Sequence, residues 1–269
     1  MRYVTLFFDL EGFWEAPYKG SFDEEQNVIN ILDILDKYNV KGVFNTCGII
    51  GEFFPDLIKR LDKEGHEIAS HGYMHENFNQ ITKEELHKVL EKTENILNGL
   101  TKNKLIGLRS PWLQSNEFVY QTAKGRGYKW ISNKYMPFPE LFSNPGAKTE
   151  GVYKLAKLSL KFQHMFTKIQ PYDADGIIEI PLTSSLENDL LGLMNYWQKS
   201  PKEWMDYAYD SLVKQFNRSG KFFNLNFHPW IIGSSNRPKV FDDILGYIAK
   251  QDVKFILARD VVELVSKSK

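Results

Sequence analysis

Short β-rich runs alternate with amphipathic helical stretches along almost the whole chain, and this alternation restricts the fold more than any other feature. The strand-like runs fall at 2–8, 42–45, 66–70, 105–108, 128–132, 176–180, 222–227 and 255–257. Helical stretches lie between them, at 24–38, 55–64, 202–216 and 241–250, with another after Ser115 and a short closing one. Thr46-Cys47-Gly48 leads into a turn marked by Gly51. Thr82-Lys83-Glu84-Glu85 has the form of a capping box and predicts a helix that ends near Asn98-Gly99. From about 133 to 175 the rhythm lapses over a stretch too long for a plain connection, which is read as an elaboration over one face of the sheet. Seven or eight βα units with a mostly parallel sheet follow from the count. No strand is followed by a Gly-x-Gly-x-x-Gly loop, so a barrel-like β/α fold is preferred to a doubly wound sheet.

No change of composition divides the 269 residues, so 1–269 is read as a single catalytic domain carrying the irregular insert at 133–175. The 34 Lys and Arg balance the 34 Asp and Glu, which argues against whole-surface attraction to nucleic acid. The single Cys47 can form neither an internal disulfide nor a multi-cysteine metal site, and is read as a small buried apolar residue. The N-terminal apolar run is broken by Asp9 and Glu11, too early for a signal peptide core, and no run reaches the roughly 18 apolar residues that span a bilayer. A cytoplasmic location is the expectation.

In β/α barrels the working groups sit at the C-terminal ends of the strands. Asp9 and Glu11 follow the first strand, His71 and His75 the third, Arg109 the fourth and His228 the penultimate one. Half of the six His therefore gather with two carboxylates and an Arg on one rim. His71 and His75 are four residues apart, a spacing that on a helical turn puts both imidazoles on one face at a separation suited to sharing a metal ion. Two His and one carboxylate with open positions for water form a catalytic zinc or iron arrangement, with Glu11 or Asp9 as the third ligand.

Asp9-Leu10-Glu11, then His71-x-x-x-His75, then Arg109-Ser110-Pro111-Trp112, then Phe227-His228-Pro229-Trp230 resembles, in order and spacing, the motif series of the polysaccharide deacetylase family of carbohydrate esterases. The resemblance covers nearly the whole chain. It implies a distorted (β/α) barrel with about seven strands and one divalent metal ion, commonly zinc. A water on that ion would attack an N-acyl carbonyl. Carried over residue by residue, it makes Asp9 the general base, Glu11, His71 and His75 the metal ligands, Arg109 the cation that keeps Asp9 ionised and aimed, and His228 the general acid. The usual first motif has two adjacent Asp; here Leu10 intervenes and the second carboxylate is Glu11. The family's orienting Asp in the fourth motif is replaced by Ile131-Ser132-Asn133, and the apolar residue two before the catalytic His is Asn226. Trp112, Trp130 or Trp230 would close the acyl pocket in its place, with core packing as the alternative for each.

Amide hydrolysis near neutral pH needs a nucleophile stronger than water, a sink for charge on the carbonyl oxygen and a proton for the amine; a metal ion, a carboxylate and a His supply these. No Gly-x-Ser-x-Gly elbow is present. Phe13, Trp14, Tyr18, Tyr73, Trp112 and Trp230 lie near the rim and would stack on sugar rings or pack the rim. Lys154, Lys157, Lys161 and Lys168 lie near one helical face in the 152–170 stretch, which would touch an anionic membrane or a lipid-linked sugar phosphate, with a helix packed across the barrel and a solvated Lys face as the alternative. The leading expectation is a metal-dependent hydrolase that removes an N-acyl group, acetyl first, from an amino sugar in a surface-polysaccharide or lipid-linked pathway. An amidase of a small non-sugar amide, as in allantoinase-like relatives, and a catalytically silent carbohydrate-binding protein are the alternatives.

Overall fold

The computed structural model describes residues 1–12, 24–135, 170–183, 213, 216–217, 219–234 and 237–267. In chain order these form β1 (Arg2–Leu10), α1 (Glu24–Lys37), β2 (Val43–Thr46), α2 (Gly48–Phe53), α3 (Pro55–Lys63), β3 (Glu67–Ser70), α4 (Lys83–Asn98) and β4 (Gly107–Leu108). A 3-10 turn (Pro111–Leu113), α5 (Glu117–Arg126), β5 (Trp130–Ile131), β6 (Tyr172–Asp173), β7 (Ile178–Glu179) and β8 (Phe222–Phe227) follow. The described chain finishes with α6 (Pro229–Ile232), α7 (Pro238–Ala249), β9 (Val253–Phe255) and α8 (Ala258–Ser266). The stretch at 152–170 with its four Lys, and the aromatics Phe13, Trp14 and Tyr18, lie outside the described residues, as does most of the helix expected at 202–216.

One curled sheet runs in the order β6-β7-β5-β4-β3-β2-β1-β8, and β9 pairs with the start of β1. Every pairing is parallel except that of β6 with β7. Without the antiparallel edge β6 and the short β9, seven parallel strands remain, which is the distorted barrel expected from the sequence. The curl is drawn together beyond β7, where the Thr183 amide donates to the Asn224 carbonyl at 2.9 Å and Asn224 Nδ2 donates to the Pro181 carbonyl at 2.9 Å.

Alternation along the strands sorts side chains into two cores. Val4, Leu6, Phe8, Phe44, Ile68, Ile131, Phe223, Leu225 and Phe227 face the helices, where Phe8 stacks on Phe44 at 4.9 Å and Phe241 of α7 packs edge-on against Phe227. Phe7, Val43, Ala69, Trp130, Ile178 and Phe222 point to the concave side, where α8 closes the lower end with Ala258 and Val261. Gly107 is what lets Trp130 lie there, because a Cβ on residue 107 would stand 2.0 Å from the indole.

Two local expectations change. Gly51 does not mark a turn: it lies inside α2, packed so tightly that a Cβ would come within 2.7 Å of Leu97 on α4. The Thr82 capping box is present, with Glu85 N–H donating to Thr82 Oγ1 and Thr82 N–H donating to Glu85 Oε2 at 2.7 Å. Among the described residues no helix is long and apolar enough to cross a membrane.

Candidate active site

The concave face carries apolar groups low in the barrel and polar groups two residues further on, because each strand keeps the same face at every second position. Phe7 is followed on that face by Asp9 and Glu11, Val43 by Asn45, Ala69 by His71, Trp130 by Ser132, and Asn224 by Asn226 and His228. Parallel register then sets Asp9 beside Asn45, and Phe7 beside Asn226.

Asp9 is held from three directions. Asn45 Nδ2 and Arg109 Nη1 donate to its Oδ1 at 2.7 and 2.8 Å, and Asn226 Nδ2 donates to its Oδ2 at 2.9 Å. Arg109 is fully buried; its Nη2 donates to Ser132 Oγ at 2.7 Å, its Nη1 also reaches Asn226 Oδ1, and its guanidinium lies 4.4 Å over the Phe7 ring. Burial alone would raise the Asp9 pKa, but the Arg109 guanidinium, with His71 and His228, outweighs it and holds the carboxyl below its usual range. Asn226 thus belongs to the support of Asp9 and not to an acyl pocket. Ser132 serves Arg109, and Asn133 Oδ1 accepts the Ser110 amide at 2.8 Å.

One level higher, Glu11, His71 and His75 converge. Their ligand atoms all lie within 4.8 Å of one another, and Glu11 Oε2 is 3.0 Å from His71 Nε2 and 2.7 Å from His75 Nε2. His71 Nδ1 lies 2.9 Å from the Arg109 carbonyl, which can only accept. That puts a proton on Nδ1 and leaves Nε2 turned toward the Glu11 carboxylate. Two imidazole nitrogens and one carboxylate oxygen gathered in a buried site are a donor set that fits a divalent metal ion. Burial opposes ionisation of Glu11, but His228 and the hydrogen bonds of His71 and His75 hold its pKa well below normal.

The His71–His75 segment is not a helical turn, contrary to the expectation from its spacing. Gly72 has φ +75° and His75 φ +57°, and this loop brings the imidazoles to a ring separation of 5.1 Å. The N-terminus of α2 supports it: the Gly48 and Ile49 amides donate to the Gly72 and Tyr73 carbonyls at 2.9 and 3.1 Å. Cys47, buried beneath, directs its thiol at the His71 carbonyl at 3.3 Å, and burial pushes that thiol's pKa well up. His228 Nε2 stands 3.6 Å from Glu11 Oε1 and 3.8 Å from Asp9 Oδ2.

The four aromatic candidates separate. Trp112 is 55% exposed and meets the His75 ring edge-on at 4.2 Å, and Trp230 is half-buried 6.1 Å from the His228 ring. Trp130 does not line the site: it starts β5 at the lower end, is fully buried, and donates its Nε1 proton to Glu67 at 2.9 Å. Tyr73 is turned to α2 and α4, with its hydroxyl on Glu52 at 2.9 Å and the Lys92 ammonium 3.4 Å over its ring.

Sequence reasoning missed Asn45, whose signal was a polar residue in a strand otherwise fit for burial, level with Asp9. It also missed Glu24, 5% exposed at the first turn of α1, whose carboxyl is pushed up to about 8 by burial and by the nearby Glu11.

The chain is similar to known proteins. The polysaccharide deacetylase family model matches residues 2–131. A peptidoglycan-N-acetylglucosamine deacetylase of Bacillus cereus is 39% identical over 82 residues, 30% of each chain. A peptidoglycan deacetylase of Helicobacter pylori is 24% identical over 266 residues, 91% of this chain and 85% of the relative. A crystal structure described as a putative polysaccharide deacetylase from Mycobacterium smegmatis superposes with a TM-score of 0.73 at 19% identity, over 99% of this chain and 90% of the other. The chain thus spans less than a third of the first relative and most of the second. With the motif residues gathered on one rim of this barrel, the chain is similar over residues 2–131 to the polysaccharide deacetylase family and shares the fold of its solved members.

Proposed function

We propose that this protein removes the N-acetyl group from an amino sugar of a saccharide, in a surface-polysaccharide or lipid-linked pathway, with one divalent ion held by Glu11, His71 and His75. The observation that carries this reading is the convergence of two imidazole Nε2 atoms on one buried carboxylate oxygen above an Arg-paired Asp. Zinc suits two imidazoles and a carboxylate with positions left open. When bound, the ion supplies Lewis acidity, lowering the pKa of water at its open positions and drawing charge off the acyl carbonyl.

The chain's own groups do the rest. Glu11, not Asp9, is the carboxylate ligand, because Asp9 already has both oxygens engaged one level lower. Asp9, kept ionised by Arg109, takes the proton of the attacking water. His228, at the rim beside both carboxylates, delivers a proton to the departing amine. Trp112 and Trp230 flank the opening and offer ring faces to a pyranose. The test is metal content together with acetate release from N-acetylglucosamine oligomers. One ion per chain and acetate release in wild type, with both lost in His71→Ala/His75→Ala, is the expected result. Metal without acetate on any N-acetyl saccharide, but turnover of allantoin-like amides, would transfer the reading to a small-amide hydrolase.

A further inference from the structure

Each of two metal-site turns begins with a glycine directly after a candidate ligand, Glu11-Gly12 and His71-Gly72, and in both the space of the missing side chain holds a glutamate oxygen. A Cβ on Gly12 would lie 2.2 Å from Glu24 Oε2, and a Cβ on Gly72 would lie 2.8 Å from Glu76 Oε2. Gly72 has a second reason to be glycine, its φ of +75°, whereas at Gly12 a side chain would have to displace the Glu24 carboxyl.

Each carboxylate grips backbone. Glu76 Oε2 accepts the Tyr73 amide at 3.0 Å and its Oε1 accepts the Met74 amide at 2.9 Å, which pins the loop between the two His. Glu24 Oε2 lies against the Gly12 backbone, in the space a side chain there would fill, and the Gly12 amide favours the ionised form of that carboxyl against its burial. The paired Tyr73 and Met74 bonds to one carboxyl fix its direction as well as its position. Neither glutamate belongs to the converging group of Glu11, His71 and His75.

We infer that Glu24 and Glu76 are positioning residues of the metal centre, Glu24 aiming Glu11 through the Gly12 amide and Glu76 holding His71 and His75 through the Tyr73 and Met74 amides. The inference rests on the metal reading given above. Their influence enters as pre-organisation: a turn already held needs no ordering when the ion binds, and loss of such outer partners typically weakens metal binding about 10- to 100-fold.

The two glutamates answer differently to conservative change, and this makes the test specific. The apo chain, stripped with chelator, is titrated with zinc against a chromogenic chelator for wild type, Glu24→Asp, Glu24→Gln and Glu76→Gln. Glu24→Asp keeps the carboxyl group but withdraws it from the Gly12 amide, and should raise the zinc Kd by about tenfold or more. Glu24→Gln retains a carbonyl oxygen for the single amide, and should stay within about threefold of wild type. Glu76→Gln sets an NH2 against one of two amides that both need an acceptor, and should also raise Kd by about tenfold or more. If all three variants bind zinc within twofold of a zinc-binding wild type, the positioning role is overturned while the metal reading stands. If Glu24→Gln is weakened as much as Glu24→Asp, the Gly12 bond is not the route and the assignment of Glu24 fails. A wild type that binds no zinc overturns the metal reading and this inference with it.

Discussion

The two ends of β3 carry the same pair of side-chain types and use them in opposite ways. At the lower end His66 and Glu67 are buried and fully engaged: His66 Nδ1 accepts the Gly42 amide at 3.0 Å, and Glu67 accepts Trp130 Nε1 and the Arg259 amide at the start of α8, both at 2.9 Å. Burial, opposed in part by those donors, raises the Glu67 pKa, and burial drives the His66 pKa down to about 4. At the upper end His71 spends one nitrogen on the Arg109 carbonyl and turns the other, with His75, onto Glu11. Polarity that is closed on itself stabilises a fold. Polarity left pointing at a common centre is suited to binding, and of these two ends the upper one has it.

The largest effect separating the two ends is expected from His71→Ala, which should remove the metal and lower deacetylation by about a thousandfold or more, whereas His66→Ala should keep a full complement of metal by elemental analysis. Equal metal loss in both would erase the distinction. Next, Asp9→Asn should lower kcat by about 10²- to 10⁴-fold with metal retained; parallel loss of metal would move Asp9 into the ligand set. The pH dependence of stability concerns the lower end. A His with a folded pKa of about 4, against 6.5 unfolded, contributes stability that is present above pH 6.5 and is lost as pH falls toward 4, up to roughly 3 kcal/mol. Chemical denaturation of His66→Gln across that window should show a flatter profile than wild type, and an unchanged slope would mean that His66 is not the group responsible. Glu67→Gln leaves one of two donors facing an NH2 and should cost about 1–3 kcal/mol of stability without changing the zinc Kd. The smallest effect lies away from both ends: Thr82→Ala removes the α4 cap and should cost about 1 kcal/mol in the same denaturation assay, with metal content unaltered.

What could be read from the sequence followed from local periodicity. Strand ends are local, so Asp9, Glu11, His71, Arg109 and His228 were all placed on one rim before any pairing was known. Periodicity says which face a side chain takes but not its height in the barrel. Trp130 shares its face with Ser132, yet it sits at the start of its strand and below the site, a fact set by its register with Gly107. The spacing of His71 and His75 suits a helix and a left-handed loop equally, and Gly72 was the residue that could have decided between them. Asn45, Glu24 and Glu76 act on partners that only tertiary pairing or backbone amides supply, so no motif spelled them out.

The position of β1 also governs when the site can come into being. Asp9 and Glu11 leave the ribosome well before the Asn226 that bonds Asp9, which follows 217 residues later, and β8, which flanks β1, is synthesised with it. At about 5–20 residues per second, the first strand waits on the order of ten seconds or more with one edge uncovered. The pairing that completes the centre is also among the most distant in sequence, which places it late and slow in folding. A nascent chain therefore carries Asp9 and Glu11 long before it can arrange them, and chaperone demand should fall most heavily on that interval.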